Sequence, residues 1–195
     1  MSSDDGSTYR GPAIPRPLGE GLQLALDLDQ RPRDFGEYVD EMATLVEREG
    51  LEVDLDTLCT TDESPHKATF GGETQHYHCT LDAVIVPFLA EDVGRVDVET
   101  VSPVSGDRIT YTVAGSSIVA EPGEAVLSFG VGTDVERPPP DARSPALAYR
   151  RVCPYGKAFV SHGEYERWAE ATEGHTMAMS LEDALALSEA LADVA

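Results

Sequence analysis

Basic side chains are scarce in this sequence. Its 195 residues carry 14 lysines and arginines against 36 aspartates and glutamates, a formal net charge of -22, and only Lys67 and Lys157 are lysines. The basic patch that phosphates or anionic lipid headgroups require is missing, which excludes nucleic acid and membrane surfaces as partners. Long apolar runs are absent too, and nothing approaches the roughly 18 residues that mark a spanning helix. The opening Met1-Ser2-Ser3-Asp4-Asp5-Gly6 is acidic and polar, unlike a secretory leader, and predicts a cytoplasmic protein. Cysteine is limited to Cys59, Cys79 and Cys153. Three thiols without export predict reduced side chains rather than a disulfide framework.

Carboxylate, by contrast, is abundant, and it is spread along the chain instead of gathered in a tail. Such density predicts a halophilic protein, in which carboxylates keep the surface hydrated and molar salt screens their repulsion. The length suits one sizeable core with a small appended element.

Residues 1–33 are rich in Ser, Asp, Gly and Pro and predict a flexible acidic arm, with Leu22 to Leu28, cut short by Pro32, at best a brief helix or a docked arm. Asp34 to Glu49 has apolar residues at helical spacing and ends at Gly50. Leu51 to Leu58 alternates like a short strand or extended arm, and together 34–65 form a short helical element. His66 to Phe70 and Thr74 to His78 flank Gly71-Gly72 as a hairpin, which leads into a helix from Thr80 to Leu89 that Pro87 shortens or kinks. Strands follow over Arg95–Val101, Arg108–Val113, Ser117–Ala120 and Ala125–Gly130, and Glu136–Ser144 is a loop. Ala146 to Val152 reads as a strand entering Cys153, and Lys157 to Val160 as its continuation. His162 to Thr172 is a helix, Thr176 to Met179 a short strand, and Ser180-Leu181-Glu182-Asp183 a capping box for a final helix. The expected class is α+β, a mostly antiparallel sheet core flanked by helices.

The chemistry concentrates in His76-Tyr77-His78-Cys79-Thr80-Leu81-Asp82. With a helix from Thr80, Cys79 stands at its N-terminal edge and Asp82 almost one turn on, on the same side. The positive helix end predicts a lowered pKa for the Cys79 thiol. Two thiolates from separate elements, Cys79 and Cys153, would clamp a soft cation. The plain alternative is a pair of ordinary buried cysteines, since no CxxC pair is present. Cys59 is either a third thiol at the same site or a loop cysteine. His76 and His78 share a strand face and could join Cys79 in a zinc or copper site, or simply be exposed strand histidines. Asp62, Glu63 and His66 read as turn chemistry, while Tyr155 and Phe88 are candidates for a pocket wall or for core.

His78-Cys79-Thr80-Leu81-Asp82, the apolar helix after it, Pro87, the strands around Ser105-Gly106 and Arg108–Val113, then Val152-Cys153 and Trp168 resemble the alkylmercury lyase (organomercurial lyase, MerB) family in the same order, over roughly residues 66–190. The resemblance implies a catalytic domain over 66–195 preceded by a shortened N-terminal region. It implies an active site of Cys79, Asp82 and Cys153, with Cys79 and Cys153 holding mercury and Asp82 handling the proton; Cys59 has no clear counterpart in the family and stays a further candidate for holding mercury, or a loop cysteine. Mercury is then substrate and product, and no cofactor is implied. The implied partners are an organomercurial, low-molecular-weight thiols and a mercuric reductase accepting Hg(II). Here His78 replaces the family's tryptophan, Pro154 replaces a cysteine found in some members, and the position of a structural cysteine falls near Ser102. The alternative function is a non-catalytic carrier of soft Hg, Cu or Zn ions on the same scaffold, which would not need Asp82.

Overall fold

Gly71 and Gly72 both adopt positive φ, 59° and 84°, a conformation that glycine takes without steric penalty. They close a two-residue turn between β2 (His66–Phe70) and β3 (Glu73–Tyr77), with Phe70 paired to Glu73. In the computed structural model, which describes residues 9–50, 54–90, 93–139 and 150–194, this hairpin lies within a six-stranded antiparallel sheet. The order is β1-β3-β2-β4-β5-β6, completed by β1 (Thr60–Thr61), β4 (Val96–Val101), β5 (Arg108–Ala114) and β6 (Ser117–Glu121). Strict alternation gives the sheet its two faces. Val96, Val98 and Thr100 on β4 and Ile109, Tyr111 and Val113 on β5 are buried. The other face carries polar ladders such as Arg95–Asp97–Thr112 and Arg108–Glu99–Lys67.

A second, three-stranded sheet has β7 (Val126–Gly132) between β8 (Ala158–Phe159) and β9 (Gly174–Met179). Residues 127–131 of β7 are buried without alternation because both faces are covered. Helix α1 (Arg16–Leu26) packs on β7, where a Cβ on Gly21 would collide with Val131 Cγ1 at 2.5 Å. Helix α2 (Phe35–Glu49) joins it through edge-on contacts among Phe35, Tyr38 and Phe129. Helix α3 (Thr80–Leu89) lies on the buried face of the large sheet and packs against α5 (Leu181–Ala192), while α4 (His162–Ala171) flanks the small sheet. Asp34 caps α2 by accepting from the Glu37 N–H, and Ser180 caps α5 by accepting from that of Asp183. The fold is α+β, as expected.

Three local expectations fail. Residues 1–8 lie outside the described set, but the rest of the expected flexible arm is ordered, with Ile14, Leu18, Leu22, Ala25 and Leu26 in the core. Pro15 and Pro17 favour a helix start instead of preventing one, because the first turn needs no N–H donors. Residues 51–53 lie outside the described set, and Leu55–Thr57 forms a 3-10 turn rather than a strand, closed by reciprocal Asp54–Thr57 hydrogen bonds. Residues 146–149 also lie outside it, and 150–152 are helical, so a turn rather than a strand delivers Cys153. Pro87 lies inside α3, two residues before its end; it removes the N–H that would bond the Ala83 carbonyl, and the helix stops at Leu89, short as expected.

Candidate active site

The hairpin delivers the chain into Cys79, which occupies the N-cap of α3 with extended backbone, φ -136° and ψ 162°. Its side chain makes no cap hydrogen bond, so the sulfur is free to face inward, and it is 3% exposed. Cys153 opens a 3-10 turn, Cys153–Tyr155, and is also buried. Ser128 on β7 anchors this turn: its hydroxyl donates to Tyr155 O at 2.6 Å and accepts from Lys157 N at 3.1 Å. The turn then docks on the helix. Thr80 N donates to Gly156 O at 3.2 Å, and Gly156 N to Cys153 O at 3.1 Å. A Cβ at position 156 would meet Cys79 Cβ at 2.8 Å and Sγ at 3.3 Å, so the approach of the two sulfur-bearing segments requires glycine.

The Cys79 and Cys153 thiols are hydrogen-bonded to each other. One turn along α3, Asp82 turns its carboxyl to the sulfurs; its Oδ2 is buried and has no hydrogen-bond partner among the described residues. Cys59 Sγ, an Asp82 oxygen and Cys153 Sγ all lie within 4.8 Å of one another. The third cysteine therefore belongs to the cluster. It is brought there by β1, whose Thr60 pairs with Tyr77, and by the His78 N–H that donates to Cys59 O at 2.9 Å.

Burial sets the electrostatics. Desolvation raises the Asp82 carboxyl to about 7, although the Cys79 thiol and the Cys59 backbone hydrogen-bond its ionised form. The Cys79 thiol is pushed well up by its hydrogen bond to Cys153, by burial and by the facing carboxylate. This reverses the lowered value that the helix end predicts, because a helix-end dipole is worth only about 1 kcal/mol while desolvation and a facing acid are worth more. For Cys153, the bond from Cys79 favours the thiolate, but burial with Asp82 and Cys59 nearby leaves the pKa raised. Burial and Asp82 lift Cys59 to about 11. The resting cluster therefore holds protons, which a cation binding to the sulfurs must displace.

Beside the cluster lies a cavity of about 190 Å³ lined by Cys79, Asp82, Cys153 and Gly156, with Leu26, Tyr38, Met42, Leu58, Ile85, Phe129, Leu187 and Leu191 among the apolar residues. Its aromatic walls are Tyr38 and Phe129, not Tyr155 and Phe88; the Tyr155 ring lies against Gly132 and Gly174, and its hydroxyl donates to Glu173 O. The histidines stand apart from the sulfurs. The His76 ring bonds the Ser64 backbone, His66 Nδ1 is 2.7 Å from Thr100 Oγ1, and His78 is exposed. The zinc or copper site with Cys79 does not form. Asp62 and Glu63 are exposed in the loop before β2. Sequence reasoning missed the wall contributed by α1, α2 and α5, whose apolar periodicity looks the same whether it faces core or cavity. It also missed Gly156, for which the glycine three residues after a cysteine was the available signal.

The sequence profile described as alkylmercury lyase matches residues 59–193. The chain belongs to the alkylmercury lyase family. The match begins at Cys59, so it spans all three cysteines and Asp82. A solved structure described as the mercury-bound form of MerB2 aligns over 93% of this chain and 92% of that chain, with a TM-score of 0.52 and 15% identity, a likeness of fold. No curated protein matches the chain. Alkylmercury lyase activity is thus assigned at the level of the family. No helix among the described residues is long and apolar enough to cross a membrane.

Proposed function

We propose that this protein cleaves the carbon–mercury bond of an R–Hg cation by protonolysis, with Cys79 and Cys153 as mercury ligands and Asp82 as proton donor. The observation that carries this reading is the buried Asp82 oxygen, unpartnered among the described residues, beside two buried thiols and on a carboxyl raised to about 7. Mercury is soft and prefers two thiolates. The first thiol to bind R–Hg loses its proton to solvent, and the second passes its proton to Asp82. Electron density given by two sulfurs weakens the Hg–C bond and makes the carbon basic. Asp82 then delivers its proton to that carbon as R–H leaves, and Hg(II) remains on the two sulfurs. The apolar cavity suits the organic group. Asp82 argues for the enzyme over a carrier, since a carrier needs no acid beside its sulfurs. Low-molecular-weight thiols or a mercuric reductase would receive the Hg(II).

The test is to incubate the protein with methylmercury and excess thiol at high salt and measure methane. Stoichiometric mercury binding without methane would replace the lyase with the soft-metal carrier.

A further inference from the structure

Cys59 is not used by the chemistry above, yet its position is well defined. It stands outside the cavity lining and is partly exposed, whereas Cys79 and Cys153 line the cavity and are buried. Its sulfur nevertheless lies within 4.8 Å of Cys153 Sγ and an Asp82 oxygen, and its thiol hydrogen-bonds Cys153. Thr60 pairs with Tyr77 and the Cys59 carbonyl accepts from His78, so the backbone is held on both sides of the sulfur. Among the described residues Asp82 Oδ2 has no hydrogen-bond partner, and an oxygen of the same carboxyl belongs to the cluster. The three sulfurs thus form a series, from Cys79 at 3% exposure through Cys153 at 7% to the partly exposed Cys59.

We propose that Cys59 is an exit thiol, which takes the Hg(II) product off Cys79 and presents it to external thiols outside the organic-group cavity. The role in turnover rests on the lyase reading. Exchange of mercury between thiols is associative, so a third sulfur must join before one of the first two leaves. The Cys59 thiol gives its proton to the Asp82 carboxylate left after protonolysis, and a bond forms between Hg and Cys59 Sγ. The bond to Cys79 Sγ breaks with the electron pair on sulfur, and the Cys79 thiolate recovers the proton from Asp82. Mercury keeps two sulfur ligands, now Cys59 and Cys153, and no atom changes oxidation state. A low-molecular-weight thiol then repeats the exchange at the exposed end.

The test uses the full chain loaded with one equivalent of inorganic Hg(II), so that exit is measured apart from bond cleavage. Transfer to excess dithiothreitol is followed by stopped-flow loss of mercury–thiolate absorbance, and methane from methylmercury is measured on the same preparations. Transfer from Cys59→Ser should be at least tenfold slower than from the native protein; equal rates overturn the proposal, and the lyase reading stands if methane is still produced. Absence of methane from the native protein removes the lyase reading, while the transfer rates still decide the role of Cys59. A readout independent of any variant is iodoacetamide labelling of the native protein: one equivalent of Hg(II) should slow alkylation of Cys59 at least tenfold, and an unchanged rate overturns the proposal.

Discussion

Cys79, Asp82 and Cys153 form one part of the cavity lining, Leu26, Tyr38, Met42, Phe129 and Leu191 much of the rest, and different physics holds the two parts. The reactive part is fixed by main-chain hydrogen bonds, Thr80 to Gly156 and Gly156 to Cys153, and by the Ser128 anchor. The apolar part is fixed by side-chain packing from three helices and β7. A directional bond holds a sulfur at one distance, while packing tolerates volume-conserving exchange. The comparison therefore predicts steep losses on one side and graded ones on the other.

The largest effect belongs to the reactive side. Asp82→Asn should lower the single-turnover rate of methane release by roughly 10²–10⁴ while mercury still binds, and Cys79→Ser or Cys153→Ser should abolish methane release and weaken mercury binding. A fully active Asp82→Asn protein would remove the carboxyl from the mechanism. Next comes Gly156→Ala, whose new methyl group would meet Cys79 Cβ at 2.8 Å. It should cost about 1–3 kcal/mol of stability as overpacking, and methane release should fall far more than the shift in denaturation midpoint accounts for. If rate and stability fall in proportion, the reactive side is no stiffer than the apolar one.

The pH dependence sharpens the same contrast. In the proposed mechanism Asp82 donates only while protonated, and burial raises its carboxyl to about 7 in the free protein, so single-turnover methane release should decline as pH rises into the alkaline range. The folded protein also holds a proton there that the unfolded chain releases near 3.8, so stability should fall as pH rises from about 4 to 7, by roughly 4 kcal/mol at most. Denaturant titrations of Asp82→Asn should show a flatter profile over that window; identical profiles would mean that the carboxyl is not strained by burial. On the apolar side, Met42→Trp should reduce kcat/KM for phenylmercury relative to methylmercury by about tenfold, the scale of a changed hydrophobic contact. The smallest effect lies outside both parts. With 36 acidic residues against 14 basic ones, the protein should gain several degrees of Tm on moving from dilute buffer to molar KCl. A flat salt response would count against halophilic adaptation.

How much of this could be read in advance followed the range of the forces involved. Helix α3 begins at Thr80 and the hairpin turns at Gly71-Gly72, as expected, because caps, glycines and alternation act within a few residues. Cys79 and Asp82 could be related by one helical turn. Cys59 could not be placed, because it reaches the cluster through a two-residue strand too short to carry a period. Helix α1 was hidden by Pro17, Gly19 and Gly21, whose roles depend on the first turn and on close approaches to Pro32 and Val131. The thiol pKa values were misjudged for a similar reason: the helix end is visible in sequence, and burial against other segments is not.

Gly156 accepts from the Thr80 N–H through its carbonyl and donates its own N–H to the Cys153 carbonyl, so one residue ties the Cys153 turn to the start of the Cys79 helix. The gap between Cys79 and Cys153 then works as a caliper set in main-chain atoms. Bulky and small organic groups would meet the same jaw width, and breadth of substrate could evolve in the helices without resetting the gauge.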